Sequence, residues 1–472
     1  MLDSNQPSVV SDGRNRSVIY ILALLILAGF AFRIYTSAGR FERGDSIIVA
    51  LMANDIAQGI EYPLWYYSGA YAGTLEAWLT VPLIWLTGPS WWVIPFAPLV
   101  ISTVGIAAFY MLASAIGGSR TGLFAAALWA FVPWGASFYN VSPRGCYPEI
   151  LCGGAMILWY ATRRWQGAQM SVATSFAIGI LAGVLIWLRL LVAPYVITLV
   201  IILLVVDRTR FLNSRNMAGL AGILIGTLPF LLSWKRVMEQ PAMGKMTLAG
   251  IGERFNALYK AILTGYLPNV KASAWIVAAS KASVFFSLGI VLVFVSIMLF
   301  MLVRRTKNPR QINTIPLVLF TFIFAGMYIA DTASLTAQVR YSLPLYTAFI
   351  VFPALAGDWL AGRSRFVGVA LIIFLAGTAT AVTKINFDGV KREEADIADR
   401  VRKSVAELEK IGASAVIIND FVSISNDDYN YTQRFFYEAL TRGYPLNVMQ
   451  NRGNLNLRWT MAVERDADPV FL

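Results

Sequence analysis

The sequence predicts an α-helical polytopic membrane protein with about eleven transmembrane helices, external juxtamembrane helices and a small external α/β domain at its C-terminus. Of its 472 residues, 57% are hydrophobic and only 14% are charged, and the mean hydropathy is +0.60. Soluble domains usually carry about 25% charged residues. Long apolar runs also recur along the chain, and a helix needs roughly 20 apolar residues to cross about 30 Å of hydrocarbon. Together these observations exclude a soluble globular protein.

The composition also excludes several kinds of chemistry. The chain contains no His, so a His general base, a Ser-His-Asp triad and a His-ligated metal are ruled out. Cys146 and Cys152 do not form a C-x-x-C pair, and thiol chemistry is not expected to organise the fold. The net charge of +12 does not predict a nucleic-acid partner, because cytoplasmic loops of membrane proteins collect Lys and Arg for topological reasons.

The apolar runs predict the order of the spans. Residues 1–16 are polar and precede a run that Arg33 interrupts, and no small-residue cleavage site follows. We therefore predict a retained first span and not a signal peptide. The eleven predicted spans lie at 17–36, 92–116, 122–139, 149–162, 172–188, 190–206, 217–234, 282–303, 314–330, 342–361 and 366–383.

The segment Leu75–Thr87 is apolar but short, with Glu76 at its start and Pro82 inside it. Segments of this length are more often interfacial or re-entrant than spanning. If it does not cross, the basic turns fall on the same side as Arg14 and Arg16, as expected for cytoplasmic loops. The N-terminus is then inside and the C-terminus outside. The basic turns contain Arg120, Arg163, Arg164, Arg208, Arg210, Arg215, Arg304, Arg305, Lys307, Arg310, Arg363 and Arg365.

This topology divides the chain into three parts. Residues 1–16 form a cytoplasmic N-terminus, residues 17–384 form the membrane module, and residues 385–472 form a small external α/β domain. The membrane module carries two long external loops, at 38–91 and 235–281. Within the external domain we predict a helix at Lys391–Ile411, a strand at Ser414–Asn419 and a helix at Tyr431–Leu440.

Polar residues without a topological explanation concentrate on the external side. Ionisable groups at membrane depth usually mark a pathway or a site. External arginines are an exception to the rule that Lys and Arg collect in cytoplasmic loops. Their forked donors match the oxygens of a phosphate. Nearby aromatic residues are either the usual interfacial belt or a sugar-stacking surface. The candidates are Arg144, Arg189, Lys235, Arg340 and Tyr341 among the cations and their neighbours, and Asp45, Tyr67, Tyr71, Glu76, Tyr147 and Glu149.

Asp45 is the strongest candidate for a catalytic group. It starts an amphipathic stretch, and without His a carboxylate is the natural general base. The structural alternative is that Asp45 caps this helix, a contribution of about 1 kcal/mol.

The other candidates also have structural alternatives. Arg340 and its neighbour could be an interfacial anchor that snorkels. Arg144 and Glu149 could form a salt bridge that ties a turn. Lys235 could simply flank a span, and Glu76 could stabilise the N-terminus of its helix.

The layout resembles the multispanning glycosyltransferases of the GT-C class, in particular bacterial relatives of the protein O-mannosyltransferases and the lipid A aminoarabinose transferases. The likeness covers most of residues 17–385. No motif is specific alone, but their order, sides and spacing together are moderately specific. The residues that carry it are Gly44-Asp45-Ser46, Tyr66-Tyr67 with 71–76, Leu86-Thr87-Gly88-Pro89-Ser90, the turn 144–149, and Arg340-Tyr341 with Leu343-Pro344.

The resemblance implies an inverting sugar transfer from a polyprenyl-phosphate donor on the outer face of a bacterial inner membrane. It implies that Asp45 is the general base on the acceptor, and that Arg340 and Tyr341 lie near the donor phosphate. The family often has Asp-Glu where this chain has Asp45-Ser46, and Lys-Pro-Pro-Leu where it has residues 73–76. The missing Lys leaves the phosphate-binding cation open. The candidates are Arg144, Arg189, Lys235 and Arg340.

The remaining assignments follow the same reaction. Contacts with the sugar or the acceptor are assigned to Tyr67, Tyr71, Glu76, Tyr147 and Glu149. No cofactor is required besides the donor substrate, although Glu42, Asp45 and Glu149 could build an oxygen site for a divalent metal. The expected partners are the donor, membrane lipids and a glycan, lipid or protein acceptor. The alternatives are a transporter or flippase for a lipid-linked anionic glycan, and a scaffold whose external domain binds a partner.

Overall fold

The structure is a computed structural model that describes residues 10–38, 44–67, 69–208, 212–235, 250–303, 312–330, 338–410, 437–438, 440–442, 463–465 and 468–470. Helices dominate the described residues, and the strands are confined to two short hairpins. The helices are α1 Val10–Ser37, α2 Asp45–Ala57, α3 Leu75–Thr87, α4 Phe96–Gly117, α5 Ser119–Ala130, α6 Trp134–Tyr139, α7 Tyr147–Trp165, α8 Val172–Leu188, α9 Ala193–Val206, α10 Ser214–Gly226, α11 Leu228–Leu232, α12 Ile251–Tyr266, α13 Ala274–Val303, α14 Ile315–Ala330, α15 Val339–Ser342, α16 Tyr346–Arg363 and α17 Arg365–Lys410. The strands are β1 Trp65–Tyr66, β2 Gly69–Gly73, β3 Val463–Arg465 and β4 Asp468–Val470.

Each of the eleven predicted spans overlaps a described helix. Within the described ranges, five stretches of helix are long and apolar enough to cross a membrane, and four further apolar helices are shorter. These helices indicate a membrane protein. The five long stretches are Arg16–Ser37, Phe96–Gly117, Ala274–Ser296, Val339–Arg363 and Arg365–Ala406.

Proline changes two of the predicted spans. The third span is two helices, α5 and α6, separated at Pro133. The seventh divides at Thr227, directly before Leu228-Pro229. A proline removes a backbone donor and clashes with the preceding turn, so a continuous helix is interrupted there.

The last predicted span does not end at residue 383. It continues without a break as α17, a helix of 46 residues that also contains the predicted helix at 391–411 as far as Lys410. The predicted strand Ser414–Asn419 lies outside the described residues, as does most of the predicted helix Tyr431–Leu440. The described part of the tail contains the antiparallel hairpin β3–β4 instead.

The arginine that interrupts the apolar run of the first predicted span is buried in the core of the bundle. Arg33 is 2% exposed. Its Nε donates to Ser102 Oγ at 2.9 Å, its Nη1 to the Gly29 carbonyl at 2.9 Å and its Nη2 to the Trp129 carbonyl at 3.0 Å. A buried charge is tolerated when its donors are satisfied, and here it ties α1 to α4 and α5.

Glycines allow two helices to pack at very short range. A Cβ atom on Gly179 or Gly183 of α8 would collide with the backbone of α10, and one on Gly222 or Gly226 of α10 would collide with α8. Small residues at this spacing let membrane helices approach closely and gain van der Waals contact. The α8–α10 pair is therefore fixed as a unit, and Arg189 follows directly at its end.

The segment between α1 and α4 forms a small unit of its own. Helices α2 and α3 pack together over a core that includes Ile48, Met52, Ala77 and Val81, with the hairpin β1–β2 between them in sequence. Helix α3 has 13 residues, which extend about 20 Å and fall short of the roughly 30 Å of a bilayer core. This length fits the prediction of a segment that does not cross.

Candidate active site

Asp45 lies at the first position of α2, and Gly44 occupies the cap position with φ 61° and no side-chain cap. The Asp45 side chain is therefore not the helix cap, and it is half-buried. The next residue, Ser46, is fully buried, and its Oγ accepts a hydrogen bond from Arg144 Nε at 3.2 Å. Folding thus brings an arginine from the turn before α7 to the start of α2.

Arg144, Arg189 and Arg340 lie in the neighbourhood of Tyr139, and we call these three residues the arginine cluster. All three interact electrostatically with the phenol of Tyr139, and so does Asp45. Arg340 also interacts electrostatically with Asp45 directly. The structure therefore brings together three of the four predicted phosphate-binding cations and the predicted base, although they are far apart in sequence.

Aromatic rings hold the arginine cluster in place. Arg144 Cζ lies 4.9 Å from the Phe138 ring centroid, and Arg189 Cζ lies 4.6 Å from that of Tyr147. Tyr147 in turn packs edge-on against Tyr139 at 4.7 Å between centroids. Stacking on ring faces fixes a guanidinium while its edge donors stay available to a ligand.

Arg340 is the residue late in the chain that the resemblance places near the donor phosphate. It lies in the short helix α15, with its Cζ 5.1 Å from the ring centroid of Tyr341. Its Nε is buried and has no hydrogen-bond partner among the described residues. A buried donor without a partner is costly, so this nitrogen is suited to receive an anionic ligand.

A cavity of about 270 Å³ is lined by residues that neighbour the cluster. Its wall includes Phe138 and Tyr139 beside the cluster, Val339 next to Arg340, and Asn386 from α17. It is close to the smallest volumes typical of small-molecule sites. The described residues therefore offer a concave space beside the cluster.

The two predicted sugar-binding glutamates lie in a separate, closed pocket. Glu76 is 0% exposed and Glu149 is 5% exposed. Tyr66 Oη donates to Glu76 Oε2 at 2.6 Å, and the Gly145 N–H donates to the same oxygen at 3.4 Å. Burial raises the pKa of Glu76 to about 7, against the lowering effect of the Tyr66 hydrogen bond. Contact with a sugar stays a prediction for both glutamates, and this burial does not favour it.

Two other predictions for these residues have different outcomes. The Arg144–Glu149 salt bridge does not form, because neither carboxylate oxygen of Glu149 has a hydrogen-bond partner among the described residues. The predicted oxygen site of Glu42, Asp45 and Glu149 stays a prediction. Glu42 lies outside the described residues, and Glu149 groups with Glu76 and Cys146 in place of Asp45.

The remaining predicted residues are dispersed. Tyr67 is half-buried, and its Oη donates to Asp55 Oδ2 at 2.6 Å. Burial raises the pKa of Asp55 to about 6, although the Tyr67 hydrogen bond lowers it. Tyr71 lies in β2. Lys235 is exposed beyond the end of α11, and the described contacts do not join it to the cluster.

Sequence reasoning missed two residues of this region. Tyr139, next to the cluster, lies inside a predicted span and looked like an ordinary apolar-run residue. Cys146 has no C-x-x-C partner, so the sequence did not indicate a role for it. In the structure it is fully buried, in the turn that also contains Arg144 and Tyr147. Its φ of 60° makes it the sole non-glycine residue with positive φ among those described, a signal that only the structure carries.

Comparison with known proteins identifies the architecture. No family model matches the sequence, and no curated protein matches it either. Among solved structures, ArnT from Cupriavidus metallidurans, bound to undecaprenyl phosphate, is similar with a TM-score of 0.60 and 15% identity over 93% of this chain and 86% of its own. The chain has the GT-C fold. The resemblance seen in the sequence is thereby confirmed for the fold.

A second similar structure is the oligosaccharyltransferase of Archaeoglobus fulgidus, in its apo form. It has a TM-score of 0.51 and 15% identity over 84% of this chain. The match spans 59% of the oligosaccharyltransferase, so this chain corresponds to about three fifths of that protein. The same enzyme, named AglB, has also been solved with an inhibitory peptide and a dolichol-phosphate.

Proposed function

We propose that the chain is an inverting glycosyltransferase that moves a sugar from a polyprenyl-phosphate donor to an acceptor hydroxyl on the outer face of a bacterial inner membrane. The observation that carries this proposal is the position of Asp45 beside the arginine cluster, next to the Ser46 hydroxyl that Arg144 contacts. A carboxylate base beside several guanidinium groups is what the reaction requires. The GT-C fold and the undecaprenyl phosphate bound to ArnT support the class of donor.

The proposed step balances without a further reactant. The Asp45 carboxylate accepts the proton of the acceptor hydroxyl, and the hydroxyl oxygen attacks the anomeric carbon of the donor sugar. The bond between that carbon and the phosphate oxygen breaks, and its electron pair leaves with the polyprenyl phosphate. Attack opposite the leaving group inverts the anomeric configuration.

In this proposal the arginine cluster binds the phosphate group of the donor. Negative charge develops on the phosphate as the bond breaks, and preorganised donors stabilise such charge best in a site that excludes water. Arg144, Arg189 and Arg340 supply these donors, and Tyr341 flanks the last of them. The exposed Lys235 is not needed for this role.

The sugar and the acceptor are placed by the aromatic residues. Tyr147 packs against Tyr139 beside the cluster but is 1% exposed, so its contact with the sugar stays a prediction that burial does not favour. Tyr67 and Tyr71 stay predicted contacts on the hairpin side. The sidedness proposed from the charges puts the N-terminus in the cytoplasm and residues 385–472 outside, where the tail can guide a glycan, lipid or protein acceptor.

The test compares the wild type with Asp45→Asn in detergent. Each protein is offered a panel of polyprenyl-phosphate sugars together with envelope extract as acceptor, and the release of polyprenyl phosphate is measured. We expect donor binding to persist in Asp45→Asn and turnover to fall by at least about 100-fold, as for loss of a general base. Asp388→Asn is the matched control, because Asp388 pairs with Lys384 on an exposed surface of α17.

Full activity of Asp45→Asn would remove Asp45 as the base. If donors bind to the wild type but none is consumed with any acceptor, the glycosyltransferase proposal fails. The transporter or flippase then takes its place, and movement of the bound lipid between leaflets of reconstituted vesicles would be measured.

A further inference from the structure

The closed pocket next to the arginine cluster contains a set of ligating atoms that the proposed transfer step does not use. One oxygen of Glu76, the Sγ of Cys146 and one oxygen of Glu149 all lie within 4.8 Å of one another. The three residues are 0%, 0% and 5% exposed. They come from three places in the fold, namely the first turn of α3, the turn before α7 and the first turn of α7.

The carboxylates in this pocket lack the partners that burial demands. Both oxygens of Glu149 and the Oε1 of Glu76 are buried without a hydrogen-bond partner in the part of the chain that the structure describes. Two carboxylates held close together in an apolar interior are strongly unfavourable unless something compensates them. A cation bound between them would satisfy these oxygens at once.

The mixed donor set selects the kind of cation. Carboxylate oxygens alone would suit Mg²⁺ or Ca²⁺, but a thiolate favours a softer ion. Zn²⁺ accepts sulfur at about 2.3 Å and carboxylate oxygen at about 2.0–2.2 Å in a tetrahedral arrangement. In that arrangement neighbouring ligand atoms lie about 3–4 Å apart. The three atoms here lie within 4.8 Å of one another, so small side-chain rotations would bring them to the distances of a bound ion.

The surroundings complete such a site. Tyr66 Oη donates to Glu76 Oε2 at 2.6 Å, which orients this carboxylate as outer partners of metal ligands usually do. Arg189 lies close enough to interact electrostatically with Glu76 and Cys146. Two carboxylates and a thiolate carry one more negative charge than a divalent ion neutralises, and Arg189 compensates it.

We propose that Glu76, Cys146 and Glu149 form a buried structural site for a divalent transition-metal ion, best suited to Zn²⁺. The site would fix the backbone that presents the arginine cluster. Cys146 and Gly145, with φ of 60° and 115°, are both in the left-handed region, and they separate Arg144 from Tyr147. An ion bound to Cys146 and Glu149 would hold this turn and would join it to α3 through Glu76.

The first experiment measures the metal itself. The full chain, purified in detergent without added chelator or affinity metal, is analysed by mass spectrometry of the elements. We expect about one equivalent of zinc per chain. After removal by a chelator, titration with Co²⁺ should restore one equivalent and produce the charge-transfer absorption of a cobalt–thiolate bond.

The two cysteines supply a matched pair of variants. Cys152 is also buried in α7, but its Sγ lies against the Ile101 carbonyl at 3.5 Å, outside the proposed site. Cys152→Ser should keep both the bound metal and the cobalt–thiolate absorption. Cys146→Ser should lose the absorption and bind Zn²⁺ at least tenfold more weakly in competition with a chelator.

A second, nearly isosteric variant separates loss of the ligand from loss of the fold. Glu149→Gln should elute as the wild type does in size-exclusion chromatography, and it should bind Zn²⁺ at least tenfold more weakly. The proposal is overturned if the wild type neither contains nor binds Zn²⁺ or Co²⁺, which would leave the carboxylates sharing a proton. It is equally overturned if the absorption survives in Cys146→Ser. Because these readouts do not measure turnover, they are independent of the proposed glycosyl transfer.

Discussion

The arginine cluster and the closed pocket lie side by side, but they differ in sign of charge and in burial. The three arginines are half-buried and rest on aromatic faces, and two neighbouring rings, Phe138 and Tyr139, line a cavity. The glutamates and the cysteine are buried, and Glu76 accepts hydrogen bonds from the Tyr66 hydroxyl and the Gly145 N–H. In the two proposals, the first region binds and releases an anionic ligand, and the second holds an ion permanently.

The turn 144–147 connects the two regions within four residues. Arg144 contacts Ser46 at the start of α2, the Sγ of Cys146 lies within 4.8 Å of oxygens of Glu76 and Glu149, and Arg189 stacks on Tyr147. Variants on either side of this turn should therefore have different signatures. Changes in the cluster should reduce turnover, and changes in the pocket should reduce stability.

The largest effect is expected from Arg340→Ala. Removing one preorganised donor from a developing oxyanion typically costs about 100-fold or more in rate, so kcat for donor consumption should fall by at least that factor. Thermal stability should change little, because Arg340 is half-buried and one of its nitrogens already lacks a partner. Arg340→Lys is the matched control and should retain part of the activity, because it keeps the charge and loses the fork. Unchanged turnover in Arg340→Ala would remove this residue from the phosphate site.

A pH-dependent effect is expected at Asp55, which belongs to neither region. Its pKa in the folded protein is raised from 3.8 to about 6, chiefly by burial. The folded state thus holds the proton more tightly, so this stabilisation is complete below about pH 4 and is lost as the pH rises to about 6. The loss is at most about 3 kcal/mol, and solvent screening of this half-buried group reduces it.

Asp55→Asn should remove this component of the pH dependence. The midpoint of thermal unfolding in detergent would be measured for both proteins between about pH 4 and pH 7. If the two curves stay parallel, Asp55 does not titrate in this range.

Tyr66→Phe should weaken the closed pocket without touching the cluster. Hydrogen bonds to charged groups contribute about 1.5–3 kcal/mol, and loss of this one leaves Glu76 Oε2 with the Gly145 N–H at 3.4 Å. Tyr160→Phe is the control, since Tyr160 bonds the neutral Ser175 hydroxyl at 2.7 Å in a buried setting. We expect the larger decrease in the unfolding midpoint for Tyr66→Phe. Equal decreases would show that Glu76 carries no charge there.

The smallest effect is expected from Lys235→Ala. This exposed lysine is not joined to the cluster by any described contact, so kcat/KM should stay within about twofold of the wild type. A decrease comparable to that of Arg340→Ala would return Lys235 to the phosphate site. The same donor-consumption assay measures both variants.

Much of the fold could be predicted from sequence because membrane spans leave a one-dimensional signal. The apolar runs located a helix at every predicted span, and the short run with Pro82 marked α3 as different. The breaks at Pro133 and Leu228-Pro229 were also visible as prolines, but their effect depends on neighbouring helices. The continuity of α17 past residue 383 was missed because the apolar pattern ends there while the helix does not.

The site was only partly predictable, since its chemistry arises from contacts across the chain. External charge pointed to Asp45, Arg144, Arg189 and Arg340, and the structure places all four around Tyr139. No spacing in the sequence indicates that Glu76 and Glu149 meet Cys146, because that contact depends on where the fold places the first turns of α3 and α7. Burial, which decides whether a carboxylate faces a sugar or an ion, has no signature in a single sequence.

The continuity of α17 has a mechanical consequence. Its 46 residues form a rod of about 69 Å that begins among the apolar helices and ends in the tail. The tail segment that contains Tyr437 and Glu438 rests on Ser90 and Trp91, through hydrogen bonds of 3.0 Å and 2.8 Å. Because each residue of an α-helix turns it by about 100°, the direction in which the chain leaves α17 depends on the number of residues in the rod. Adding one residue near position 390 would rotate the C-terminal end of α17 by about 100° relative to its start, whereas adding a stretch close to whole turns would keep nearly the same direction and lengthen the rod by about 5.4 Å per turn.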